Sequence, residues 1–333
     1  MTLQWGIVGA GKISHDFVTA VHILPKEEHE VIAVAAQQLA RSEEFAKLHK
    51  IKRAYDQYTK LAKDKDIEIV YIGNLNPQHF EVVKMMLNSG KHVLCEKPMT
   101  MNYKQTSELI KIAKEKKLFL MEAIWSRCFP TYDIIKREIE SGNIGDVHQV
   151  IASFGFAMTE VQRLNQKKLG GGTILDLGVY CLQFLLLVFG NEEPEKIKAT
   201  GFVNNDGVDV STSATLLFKG NRTATVLTHS LVNLPNEAIV IGTKGIIKVP
   251  LFWCPPKVEL PSGTINKPLP KPGLSMNFVN SAGLCYEASE VRACIRKGLL
   301  ESPKVSHETS LLIAKLEDEL RKQLGVEYPE DKY

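Results

Sequence analysis

The chain has 333 residues, 44% of them hydrophobic and 24% charged, with a formal net charge of +3 and a pI near 8.4. That length can bury one large core or two, and so mild a charge excludes the clustered basic footprint of a nucleic-acid or membrane-surface protein. The six cysteines include no Cys-x-x-Cys pair, and Cys95, Cys181 and Cys294 sit in apolar or helical runs, so neither a disulfide framework nor a metal site is expected. The sequence enters a strand without a basic-then-apolar leader, and its longest apolar run, Phe184 to Phe189, is far short of a membrane span. A soluble, cytoplasmic protein is expected, in which the sequon Asn221-Arg222-Thr223 is a chance match.

Leu3 to Val8 reads as a buried strand that runs into Gly9-Ala10-Gly11-Lys12-Ile13-Ser14, after which Phe17, Val18, Val21 and Leu24 recur at helical spacing. Strand, glycine turn and helix in that order form a dinucleotide-binding fingerprint. Gly9 permits the tight turn, and Gly11 lets the backbone approach a pyrophosphate held at the helix N-terminus, beside Lys12 and Ile13. Ser14 stands where a third glycine or alanine is usual, which widens the helix–strand packing slightly.

The second strand, Val31 to Ala36, ends in Gln37-Gln38 rather than in the acid that would accept hydrogen bonds from an adenosine ribose. With no carboxylate to repel it, a 2′-phosphate is met by Gln37, Gln38 and Arg41, which favours NADP over NAD. A helix is expected from Ser42 to His49. The next strand, Glu68 to Ile72, leads into Gly73-Asn74-Leu75-Asn76-Pro77-Gln78-His79, with Pro77 in the first turn of a helix carrying Val82, Val83, Met86 and Leu87. Asn74, Asn76 and His79 thereby fall at the carboxyl edge of the sheet, where the nicotinamide ribose is expected; Tyr71 reads as a packing residue with a minor prospect of touching cofactor.

Val93 to Cys95 is another buried strand, followed abruptly by Glu96-Lys97-Pro98. A lysine at a parallel strand's carboxyl end points at whatever the sheet binds, and Glu96 either touches the cofactor or fixes the turn. A helix through Tyr103, Leu109, Ile112 and Ala113 and a strand at Leu118–Met121 end a Rossmann domain of residues 1–123.

In residues 124–333 the pattern changes. After a helix from Pro130 to Gly142, strands are expected at 147–156, 196–203, 213–218, 223–230, 238–241 and 246–249. The fold class is therefore an α/β Rossmann domain followed by an α+β domain with a large open, mainly antiparallel sheet. Residues 254–276 are expected as a loop rich in proline and glycine, and residues 282–298 and 308–324 as closing helices. Gly170-Gly171-Gly172 precedes a helix that Thr173 can cap. On that helix Asp176 and Tyr180 are four apart, about 40° around the axis, and share a face with Val179 and Gln183. Trp125, Phe154, Phe156, Trp253 and Phe278 are candidate walls for a flat substrate, each with core packing as the alternative.

These motifs in this order, from the GxGxxS turn through Asn-Pro-x-His and Glu-Lys-Pro to Gly-Gly-Gly-x-x-x-Asp-x-Gly, resemble the glucose–fructose oxidoreductase/inositol dehydrogenase family over nearly the whole chain. The string from Leu118 to Pro130, with Asp176 to Phe184, is similar to a branch of that family that oxidises trans-dihydrodiols of aromatic hydrocarbons to catechols with NADP, and also D-xylose. Most of the family has histidine where this chain has Tyr180, whereas this branch has tyrosine. The resemblance implies a homodimer joined through the C-terminal sheet.

Hydride removal from a carbinol carbon needs a base for the hydroxyl proton, and an ammonium near a phenol favours its phenolate. The expected catalytic set is accordingly Tyr180 as acid/base, Lys97 tuning it, and Asp176 orienting Lys97 or a substrate hydroxyl. The competing readings are a cofactor-binding sensor that lost its chemistry and another sugar or polyol dehydrogenase of the family. Retention of Lys97 and Tyr180 together argues against the first, and tyrosine at 180 against the second.

Overall fold

The computed structural model describes residues 1–332. The chain divides into two compact units, the first made of residues 1–99, 104–128 and 269–307. Its sheet has six parallel strands, β1 (Leu3–Val8), β2 (His29–Ala35), β3 (Arg53–Tyr55), β4 (Ile69–Ile72), β5 (His92–Cys95) and β6 (Leu120–Glu122), in the order β3-β2-β1-β4-β5-β6. The connections are helical: α1 (Lys12–Val21), α2 (Leu39–His49), α3 (Tyr58–Lys63), α4 (His79–Asn88) and α5 (Tyr103–Lys116). Strand order reverses between β1 and β4, so the loops that follow these two strands flank the crevice where such sheets take ligands. Phe17 on α1 stacks on Tyr71 of β4 with centroids 3.9 Å apart, which docks the start of α1 over that switch point.

Two boundaries differ from expectation. Helix α2 starts at Leu39, not Ser42, so Arg41 lies in its first turn; the Ser42 hydroxyl donates back to the Leu39 carbonyl at 2.8 Å. Strand β6 starts two residues late because the Leu118 amide still bonds the Ala113 carbonyl of α5, at 2.9 Å.

The second unit comprises residues 100–103, 129–268 and 308 onward. After α6 (Pro130–Glu140) comes β7 (Val147–Gly155), then α7 (Gln162–Asn165), a π-turn over Ile174–Gly178 and α8 (Val179–Val188). The sheet is completed by β8 (Lys196–Val203), β9 (Asp209–Phe218), β10 (Arg222–His229), β11 (Glu237–Gly242), β12 (Ile246–Pro250), β13 (Lys257–Leu260) and β14 (Gly263–Asn266). The order is β14-β13-β12-β11-β7-β10-β9-β8, antiparallel throughout except where β7 runs parallel to β10. The expected loop at 254–276 is thus partly wrong: β13 and β14 form a hairpin in it, paired from Lys257↔Asn266 to Leu260↔Gly263, that the local proline and glycine content conceals.

Along β9, Ala214, Leu216 and Phe218 are buried while Ser213, Thr215 and Leu217 are exposed, so one face of the sheet is covered. Helix α8 lies on that face, apolar all round and almost wholly buried. The stretch Lys167–Val188 is long and apolar enough to cross a membrane, but 89% of its most apolar window is buried inside the protein, as a core helix must be.

Beyond β14 the chain returns to the first unit, which the contiguous division at 123/124 did not anticipate. Asn277 and Phe278 bind the Asp16 carboxylate of α1, and α9 (Leu284–Arg296) packs Ala288 and Val291 inward, with Arg296 paired to Glu68 at 2.9 Å. Helix α10 (His307–Leu324) belongs from Glu308 onward to the second unit.

Candidate cofactor and acid–base sites

In the first unit the turn after β1 is built for close approach. Gly9 has φ +92°, and a Cβ there would lie 2.8 Å from the Gly73 carbonyl oxygen of the loop after β4. Ser14 needs no wider packing, because Gly73 opposite lacks a side chain: a Cβ on Gly73 would meet the Ser14 hydroxyl at 2.5 Å. At Gly11, the N-cap of α1, the backbone is extended and no side chain caps the helix, while a Cβ would find only the Gly73 oxygen, at 3.9 Å. The start of α1 thus has no side-chain cap and leaves room beside Gly11, as an anion site at a helix N-terminus requires. Lys12 is exposed and Ile13 half-buried. Both polar atoms of the Asn74 side-chain amide are buried without a partner. A buried amide so placed fits an incoming polar group, so the residues present fit a dinucleotide. Asn76 is half-buried in the short turn Asn76–Gln78 that precedes α4, with Pro77 in place as expected.

Gln37 and Arg41 are exposed on the loop after β2 and the first turn of α2. Among the described residues Arg41 forms no ion pair; it lies near Tyr58, whose phenol burial raises and the Arg41 charge lowers in pKa.

His79 is corrected as a cofactor contact, and so is the minor prospect at Tyr71, whose main reading as a packing residue stands. His79 is 0% exposed, its Nδ1 at 2.8 Å from the Pro98 carbonyl and its Nε2 at 3.2 Å from the Asn74 carbonyl. It fastens the Asn74 loop to the turn after β5, and burial holds its pKa below the usual histidine value. Tyr71 is also 0% exposed and donates to Glu96 Oε1 at 2.6 Å. Burial first, and then the Glu96 charge, push its phenol pKa far up. Both side chains face inward and act through what they hold.

Glu96 is buried, taking that Tyr71 bond on one oxygen and the Lys97 amide on the other at 3.2 Å. It fixes the turn, and leaves Lys97, half-buried, as the cation at the end of β5. Trp125 is buried in the short turn Trp125–Cys128 that follows β6, and Phe278 is exposed in the loop bound to Asp16.

In the second unit Asp176 sits within the π-turn, and Arg163 of α7 grips its carboxylate at 2.8 and 3.4 Å. Arg163 is 41% exposed and its partner 9%. Sequence reasoning missed Arg163, which lies in a polar stretch without any periodic signal. Tyr180, on the first turn of α8, meets the ring of Phe154 edge-on at 5.5 Å. Phe154 stacks in turn on Trp253 at 4.3 Å, and Phe156 meets Trp253 edge-on, so three of the five aromatics singled out in the sequence cluster beside Tyr180. Phe154 itself is only 3% exposed, the middle of the cluster rather than its surface. Val179 is corrected as a substrate contact: at 0% exposure it is part of the core. Gln183 is buried too, donating to the Tyr132 hydroxyl at 2.7 Å. Nor does Thr173 cap the helix; its hydroxyl donates to Asp209 Oδ2 at 2.6 Å, and the Ile174 amide binds that same oxygen at 2.7 Å.

Comparison with known proteins agrees with this geometry. Residues 3–124 match the model of the oxidoreductase family with an NAD-binding Rossmann fold, and residues 132–248 that of the GFO/IDH/MocA C-terminal domain. The chain is 47% identical to the trans-1,2-dihydrobenzene-1,2-diol dehydrogenase of Danio rerio across 99% of both chains, and 43% identical to that of Mus musculus across 100% of both. In fold it is similar to the 3-ketoreductase KijD10 from Actinomadura kijaniata, solved with NADP (TM-score 0.81, 22% identity, 97% and 98% of the two chains). It is also similar to a levoglucosan dehydrogenase solved with NADH (TM-score 0.85, 17% identity, 98% of each chain).

Proposed function

The chain belongs to the GFO/IDH/MocA oxidoreductase family and is an NAD(P)-dependent dehydrogenase acting on CH–OH donors; from that premise we propose that it oxidises trans-dihydrodiols of aromatic hydrocarbons to catechols with NADP, and D-xylose to its lactone. The observation that carries this reading is the 47% identity, end to end, with a protein named for that dihydrodiol reaction.

NADP, when bound, supplies the nicotinamide that accepts the hydride. Gly9, Gly11, Lys12 and Ile13 hold the pyrophosphate at the start of α1, and Asn74 and Asn76 the nicotinamide ribose. Gln37, Gln38 and Arg41 would take the 2′-phosphate, a cation and two amides where an NAD enzyme would carry an acid. Tyr180 removes the hydroxyl proton as the C–H bond breaks. An unperturbed phenol, with a pKa of about 10, is a poor base at neutral pH, and an ammonium favours the phenolate; that tuning is the role proposed for Lys97. Asp176, held by Arg163, orients a substrate hydroxyl or Lys97. The cluster of Phe154, Phe156 and Trp253 beside Tyr180 suits a flat ring, and Trp125, after β6, is proposed as a substrate residue of the first unit.

We further propose a homodimer formed through the second unit's uncovered sheet face. One row across that face runs Lys196, Leu217, Thr223, Gln149, Ile241 and Ile246 by strand register, with Phe202, 77% exposed, on the same side. The six cysteines are all free and buried, in keeping with a reducing, cytoplasmic setting.

The test is reduction of NADP and of NAD measured side by side with trans-benzene dihydrodiol and with D-xylose. Turnover of the dihydrodiol, faster with NADP, is expected; no turnover of either substrate would leave only the family's general chemistry.

A further inference from the structure

Asp209 begins β9 and is completely buried, and among the described residues no cation is paired to it. Its Oδ2 receives the Thr173 hydroxyl and the Ile174 amide, and the Thr173 oxygen lies 2.8 Å from the hydroxyl of Thr228, which sits opposite Thr212 of β9. Its Oδ1 has no partner. Asp209 thus does from a distant strand what an N-cap residue does locally: it satisfies the first amide of the π-turn that leads into α8 and sets a negative group at the start of that turn.

A second residue grips the same turn from the other side. The Tyr328 hydroxyl donates to the Gly171 carbonyl. Its ring lies under the Arg321 guanidinium at 5.1 Å, and Arg321 is tied to Asp331, Asp318 and the Met101 carbonyl. Tyr328 also packs in a small apolar cluster with Leu175, the residue before Asp176. Gly172, at φ +112°, passes between the two: a Cβ there would lie 2.5 Å from Asp209 Oδ1 and 2.9 Å from the Tyr328 oxygen. The Gly172 amide in turn bonds the Leu164 carbonyl at 2.9 Å, adjacent to the Arg163 that holds Asp176. Burying a carboxylate in this way is costly compared with an apolar residue of similar size, and what it secures is one conformation of a three-glycine turn.

We propose that Asp209 and Tyr328 are positioning residues, which clamp the Gly170–Gly172 turn and the π-turn after it so that Asp176 and Tyr180 are presented for proton transfer. This rests on the roles assigned above, Tyr180 as acid/base and Asp176 as an orienting group. The clamp acts only through the second unit, so it sets turnover and leaves dinucleotide binding alone.

The experiment compares Asp209→Asn, Asp209→Ala, Tyr328→Phe and Tyr180→Phe in the full-length enzyme, reading kcat, substrate KM and NADPH dissociation at a temperature where circular dichroism shows each protein folded. Loss of register at the reacting groups lowers kcat by about ten- to a hundredfold in Asp209→Asn and Tyr328→Phe, with NADPH affinity unchanged. Asp209→Asn keeps an acceptor for Ile174 and retains more turnover than Asp209→Ala; should the alanine variant not fold, Tyr328→Phe, which loses one hydroxyl, decides alone. Adding Asp209→Asn to Tyr180→Phe costs less than it does in the wild type, because both act on one step. Values of kcat within about twofold of wild type in Asp209→Asn and Tyr328→Phe, beside a crippled Tyr180→Phe, would overturn the clamp. An active Tyr180→Phe would instead remove the acid–base reading on which it stands.

Discussion

The two units build their sites in opposite ways. Around β1 and β4 the work falls to backbone: two glycines, a helix terminus with no side-chain cap, and an asparagine whose amide is held in reserve. The polar side chains nearby, His79, Tyr71 and Glu96, bind one another or the surrounding loops, and so fix the shape of the crevice. Around α8 the working groups are side chains, Asp176 and Tyr180, and their support is remote in sequence: Asp209 and Tyr328 come from a later strand and from the tail. A backbone site tolerates any change that leaves its turns intact, whereas a side-chain site depends on each residue that sets an angle. The first can be broken by one methyl group, the second by a distant hydroxyl.

The largest expected effect that sharpens this contrast is at Lys97, the one side chain of the first unit assigned to proton transfer. Lys97→Met lowers kcat by a hundredfold or more, on the order of a lost acid–base partner. Because the residue is half-buried and lies past the strand, its thermal midpoint stays near that of wild type; a large fall in stability with unaltered kinetics of the folded fraction would make Lys97 structural. Next comes Arg41→Ala, which raises the KM for NADP by about tenfold, the value of one charge-assisted contact, and leaves NAD unaffected. Equal effects on both cofactors would remove Arg41 from the 2′-phosphate.

The smallest effect concerns Glu287 on α9, fully buried with neither oxygen hydrogen-bonded. Burial, and then the charge of Glu96, raise its pKa well above the usual glutamate value. The folded state thus keeps a proton that the unfolded chain releases above roughly pH 4.3. Its contribution is fully present below that pH and declines as pH rises toward the folded value. Glu287→Gln should therefore flatten the fall of stability between roughly pH 5 and 8, read from urea midpoints; parallel curves for the two proteins would show that the carboxyl ionises alike in both states.

What the sequence shows follows the same division. The Rossmann strands, the glycine turn and Lys97 are legible because each is local: a run of apolar residues, a spacing of glycines, a charge placed abruptly after a strand. His79, at the start of α4, and Tyr71, near the end of β4, flank the right loop but turn inward, which no spacing records. In the second unit the strands of the central sheet could be read from alternation, while β13 and β14 could not, since four-residue strands between prolines carry too little pattern. Asp176 and Tyr180 stood out as polar residues beside an apolar helix. Arg163, Asp209 and Tyr328 did not, although an acid between Val208 and Val210, at the head of an apolar strand, was a signal that could have been followed.

The division of labour is tested most directly by titrating NADPH into Gly9→Ala and Tyr180→Phe, following the quench of tryptophan fluorescence. A Cβ at position 9 meets the Gly73 oxygen and forces a left-handed φ on alanine, so that variant is expected to bind at least about tenfold more weakly, the equivalent of a strained residue. Tyr180→Phe should bind within about twofold of wild type while its turnover falls by two to four orders of magnitude. Weakened NADPH binding by Tyr180→Phe, or undisturbed binding by Gly9→Ala, would contradict the account.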